Sequence, residues 1–86
     1  MYQVNGQEVV TAWLQSEPNP QHRSALLDVM ASLGQEPVPE DAVRLEDERA
    51  EVYVLIANLG DKMVLVRYFV GHQLHAVRIL AIESVP

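Results

Sequence analysis

Five polar side chains stand inside an otherwise apolar stretch late in the chain: Arg67, Tyr68, His72, His75 and Arg78. Guanidinium groups are rigid forks of donors suited to phosphate or carboxylate, a phenol can donate a proton, and imidazole exchanges protons near neutral pH. If the flanking strands pair symmetrically about residues 71–73, Arg67 falls opposite Arg78 or one of its neighbours. Arg67, Arg78, His75 and Tyr68 would then form a small anion site. The simpler fate of the same arginines is pairing with Glu51, Glu83 or the acidic residues that precede them. A zinc site on His72 and His75 has no HxH, HExxH or cysteine pattern behind it, and strand side chains three apart point to opposite faces. Ser16, Ser24, Ser32 and Ser84 sit in no nucleophile elbow, and there is no glycine-rich phosphate loop. No metal and no cofactor is expected.

Eighty-six residues provide for one core and one domain, residues 1–86. The absence of cysteine excludes disulfides, thiolate ligands and a cysteine nucleophile. The net charge of −6 is unevenly spread. Residues 36–51 hold seven acids against Arg44 and Arg49, whereas the chain from Val52 onward holds Asp61 and Glu83 against Lys62, Arg67 and Arg78. A surface that tracks phosphates needs clustered cations, so nucleic acid is not the expected partner. No apolar run is long enough to span a bilayer, and the opening MYQVNGQE lacks the basic and apolar regions of a signal peptide. A soluble cytoplasmic protein is expected.

The elements that must position these residues can be read in outline. VYVLIAN, MVLVRYFV and LHAVRILAI are β-branched runs separated by LGDK and GHQ, which predicts a three-stranded antiparallel meander. Val9, Val10, Trp13 and Leu14 predict a helix over about 6–15, with Asn5 and Glu8 as a capping box and Trp13 as a core anchor. Asn19 and Pro20 are suited to start a second helix, whose stripe is Leu26, Leu27, Met30 and Leu33, and Gly34 to end it in a left-handed cap. So short a linker implies an antiparallel helical hairpin. Tyr2–Val4 and Ala42–Leu45 are candidates for extra short strands, and Glu46–Arg49 for a turn. The expected fold is α+β, an N-terminal helical hairpin packed on a small antiparallel sheet.

Both faces of that sheet are apolar. In the first run Val52, Val54 and Ile56 face one way and Tyr53, Leu55 and Ala57 the other; in the second Met63, Leu65 and Phe69 share a face with Arg67, opposite Val64, Val66, Tyr68 and Val70. The helices can bury one face. The other is either covered by the connector and the first strand or is a surface for a partner or a second copy.

The stretch VVTAWLQSEPNPQHRSALLDVMASLG resembles the helical hairpin of the RelE/ParE toxin superfamily of bacterial type II toxin-antitoxin systems, and LGDKMVLVRYFVGHQLHAVRIL resembles its paired strands. The resemblance implies a protein partner, either an antitoxin-like peptide or a target protein. Members that cleave messenger RNA are basic and often carry an arginine just after the turn, where this acidic chain reads Lys62-Met63-Val64. The resemblance therefore implies action by binding, with Arg67, Tyr68, His75 and Arg78 as catalytic candidates only for a residual endoribonuclease. A homodimeric structural or regulatory module is the third reading.

Overall fold

The computed structural model describes residues 1–46 and 49–85. In chain order the elements are β1 (Gln3–Asn5), α1 (Gln7–Ser16), α2 (Pro20–Gln35), β2 (Val43–Arg44), β3 (Val52–Asn58), β4 (Met63–Gly71) and β5 (Ala76–Ser84). The strands form one sheet in the order β1-β5-β4-β3-β2. The meander β3-β4-β5 is antiparallel, as its turn-separated runs require, and β2 adds antiparallel to β3. Both short strands exist, within a residue of their expected places. β1, however, runs parallel to β5, pairing Gln3 with Ala76 and Asn5 with Arg78, which the intervening length of chain permits. Asp47 and Glu48 of the expected Glu46–Arg49 turn lie outside the described residues.

The helix starts differ from one another. Asn19 caps α2 as expected, its side-chain oxygen accepting the Gln21 amide at 2.8 Å, with Pro20 at the first position where no amide is needed. The capping box at α1 does not form. Gly6 is the N-cap, with φ 100° and no side-chain bond, because Asn5 is held in β1 by its pairing. A side chain at Gly6 would be doubly excluded: a Cβ there would stand 2.6 Å from the Ile79 carbonyl oxygen. Gly34 is likewise not the left-handed cap. The helix continues through it to Gln35, and the space a Cβ would take lies 3.1 Å from the Tyr2 carbonyl oxygen, so its role is to let α2 approach the first strand.

Leu26, Met30 and Leu33 of α2 and Trp13 of α1 pack on Tyr53, Leu55, Ala57, Val64, Val66, Tyr68, Val70, Val77 and Ile79. Within β3 and β4 these are residues that alternation grouped strand by strand, Tyr53, Leu55 and Ala57 in one and Val64, Val66, Tyr68 and Val70 in the other. Leu26, Val64, Val66, Tyr68 and Val77 lose all contact with solvent. Burial of this apolar surface supplies the main drive to fold.

Between Arg67 and Tyr68 the β4-β5 register shifts: Tyr68 pairs with Ile79, but Arg67 pairs with Ala81, leaving Leu80 as an extra residue. The bulge resets the alternation, so Ile79 and Ile82 both face the helices despite their odd separation.

Candidate functional site

The face of the sheet turned away from the helices is open. β1 and β2 lie at the two edges of the sheet and do not cross it, so these strands do not provide the cover that was one of the two alternatives. Ile56 is 46% exposed, Met63 45% and Leu80 41%, with Val54, Leu65 and Phe69 partly exposed among them. The rows across the strands are Val52, Phe69 and Arg78; Val54, Arg67 and Ala81; and Ile56, Leu65 and Glu83. The result is an apolar strip with two cations in it.

Arg67 and Arg78 share this face but are not opposite each other. The bulge moves Arg67 to Ala81, while Arg78 pairs with Phe69, one row away. Among the described residues neither forms an ion pair, so the expected fate of pairing with Glu51 or Glu83 is not realised. Glu51 is engaged elsewhere. Tyr68 is on the other face, fully buried against the helices, with its hydroxyl lacking a hydrogen-bond partner among the described residues and its pKa pushed up to about 12 by burial. His75 is not in the last strand. It closes the β4-β5 turn with φ 48°, at the end of the sheet. The four sequence candidates thus divide into a pair of arginines on the open face, a core tyrosine behind it and a histidine at the sheet's end.

His75 belongs to a different cluster. Its ring and that of His72 both pack on Tyr2, with centroids 5.3 and 5.8 Å away. Tyr2 Oη lies 2.6 Å from His72 Nδ1, His72 Nε2 lies 3.1 Å from Glu51, and the Tyr53 hydroxyl donates to the other Glu51 oxygen at 3.0 Å. That hydroxyl, ahead of the His72 contacts, lowers the Glu51 pKa against the opposing effect of burial. The Glu51 carboxylate can only accept, so the His72 Nε2 that faces it is a donor. The cluster ties the β4-β5 turn to β1 and β3.

A second polar cluster lies at the opposite end of the hairpin, where the α1-α2 linker meets the β3-β4 turn. Glu17 is only 5% exposed and accepts from Lys62 Nζ at 2.7 Å and from the Asn19 amide at 3.2 Å, while His22 Nδ1 stands 3.1 Å away. His22 Nε2 meets Asp61 at 2.6 Å. The Lys62 ammonium lies 5.7 Å from the centre of the Trp13 ring, and Arg23 donates to the Glu17 carbonyl. Lys62 holds Glu17 down to about 2, overcoming burial, with Asn19 and His22 assisting. Asp61 first and Glu17 second raise the His22 pKa against burial. Neither cluster was legible in the sequence, since its members are separated by up to 45 or 70 residues and only folding joins them.

Among the described residues no group of three or more His, Asp or Glu side chains is placed to hold a metal ion, and no helix is long and apolar enough to cross a membrane. No family model and no curated protein matches the chain. Among solved structures it is similar to the archaeal RelE-RelB complex from Pyrococcus horikoshii OT3, with 32% identity, a TM-score of 0.71, and coverage of 96% of this chain and 93% of that one.

The chain belongs to the RelE-like toxin superfamily.

Near-complete coverage in both directions assigns the RelE-like fold to the whole chain, from β1 to β5, and not only to the hairpin and paired strands that carried the sequence resemblance. The open sheet face, with its two arginines, is therefore a feature of a RelE-like protein whose solved relative was crystallised with RelB.

Proposed function

We infer that this RelE-like protein acts by binding another protein across its open sheet face, an antitoxin-like chain being the partner its relative's complex suggests. The observation that carries this reading is the apolar strip of Val54, Ile56, Met63, Leu65, Phe69 and Leu80, which is partly or largely exposed among the described residues. Arg67 and Arg78 add cationic positions without a carboxylate among the described residues, and they favour a partner that brings acids between apolar anchors. The outer edge of β3 is paired by β2 only as far as Val54, so Leu55–Asn58 offer main-chain groups to an added strand. Such a strand would gain affinity from the backbone and specificity from side-chain pockets.

The test is co-purification with the product of the neighbouring reading frame, followed by Leu65→Asp and Ile56→Asp. Loss of binding with an unchanged thermal midpoint supports the reading; undiminished binding by the double variant ends it. The alternative of a residual endoribonuclease draws on the same two arginines, which would contact a scissile phosphate, but Tyr68 is buried away from them and His75 lies at the end of the sheet. Message cleavage that disappears in Arg67→Ala and Arg78→Ala would favour it over binding alone. Sedimentation of the free protein separates both from self-association, which would appear as a dimer broken by Leu65→Asp.

A further inference from the structure

The Glu17, His22, Asp61 and Lys62 cluster contains an arrangement that ordinary surface ion pairs lack: one imidazole stands between two carboxylates. His22 Nδ1 is 3.1 Å from Glu17 and Nε2 is 2.6 Å from Asp61. Neutral imidazole has a single N–H, so it can serve only one of them; both contacts are hydrogen bonds only when the ring is protonated. The two carboxylates come from different parts of the fold, Glu17 from the α1-α2 linker and Asp61 from the β3-β4 turn.

We propose that His22 is a protonation-controlled clasp, which fastens the β3-β4 turn to the helix linker when charged and releases it on the Asp61 side when neutral. The side that lets go follows from burial. Glu17 is enclosed and cannot exchange its donors for water, so the remaining ring proton stays on Nδ1. The Asp61 side chain is 86% exposed and hydrates as soon as it turns away. Lys62 and Arg23 are the cations facing this site; Lys62 stays with Glu17 and Arg23 with the linker carbonyl, so neither substitutes for the lost contact at Asp61. Leu59 remains buried at the start of the turn, which confines the release to Gly60–Lys62 and leaves the core closed. The directions of the two pKa shifts agree: His22 is raised and Asp61 lowered, each by the other first. The clasp holds the ends of β3 and β4 that carry Ile56 and Met63, yet its existence does not depend on what the open face binds.

The experiment is nuclear magnetic resonance on the full chain from about pH 5 to about pH 9, following the His22 ring nitrogens together with amide exchange at Leu59 and Gly60. The Leu59 amide bonds to the Lys62 carbonyl across the turn and the Gly60 amide to the Asn58 side chain, so both sense its closure. Both ring nitrogens should be protonated at the acid end. As the ring loses its proton, exchange at Leu59 and Gly60 should accelerate several-fold beyond the intrinsic effect of pH. In Asp61→Asn, His22 should titrate at lower pH and turn exchange should no longer follow it; in His22→Gln the step should vanish. A His22 ring already neutral at the acid end, a titration that leaves Leu59 and Gly60 unaffected, or an Asp61→Asn protein with the parent's coupled profile would each overturn the clasp.

Discussion

The two faces of the central strands are built from the same kinds of residue and meet opposite fates. Val64, Val66, Val70, Val77 and Ile79 exclude water beneath the helices, whereas Ile56, Met63 and Leu80 remain about half exposed on the other side. Side-chain type does not separate them; the presence of a second layer does. Two helices of 10 and 16 residues are enough to cover one face of this sheet. The polar groups are sorted in the same way. The Tyr68 hydroxyl is enclosed on the packed face without a partner among the described residues, while Arg67 and Arg78 are on the face that water or a partner can reach.

That comparison can be broken most directly by truncation on the two faces. Leu26→Ala, under the sheet, should cost about 2–5 kcal/mol in urea denaturation, while Leu65→Ala on the open face should cost a small fraction of that. Equal losses would mean that the open face is structural. Gly6→Ala tests the seating of α1 on β5, and should lower stability by about 1–3 kcal/mol because a side chain meets both an unfavourable φ and the Ile79 backbone.

Smaller effects sharpen the contrast at its polar margins. Glu17, lowered from 4.5 to about 2, contributes stability above the higher of these values that is lost as pH falls through the lower. His22, raised above 6.5, contributes below that value and loses its contribution as pH rises through its folded value. The urea midpoint should therefore be highest between the ordinary values of the two groups, 4.5 and 6.5, and decline on the alkaline side, a decline that His22→Gln should flatten. The mildest change is Tyr68→Phe. Removing an unpartnered hydroxyl should leave stability within about 1 kcal/mol of the parent, on the stabilising side, and a marked loss would reveal a partner for that group.

The sequence carried the meander, the two helices and the alternation within β3 and β4, which rest on local periodicity or on turn residues such as Gly60 and Asn19, and it carried the superfamily through resemblance. It did not carry the geometry of the candidate site. Symmetric pairing about the last turn put Arg67 near Arg78, and one extra residue at Leu80 displaced them. Asn5 and Gly34 have the types expected of helix caps, yet β1 claims Asn5 and the close passage of Tyr2 explains Gly34. Glu17 and His22 read as ordinary polar residues of a linker and a helix start. Their meaning depends on Asp61 and Lys62, which arrive only when the β3-β4 hairpin docks.

The parallel pairing of β1 with β5 also sets an order of events during synthesis. Gln3, Val4 and Asn5 find their partners in Ala76, Val77 and Arg78, so the first strand made must wait for almost the last. The helices and the β3-β4 hairpin can form from near neighbours while the chain is growing, but α1, whose entry at Gly6 abuts Ile79, cannot complete its seat until β5 exists. A nascent chain stalled before β5 would thus leave one edge of β4 bare and the face beneath α1 only partly covered.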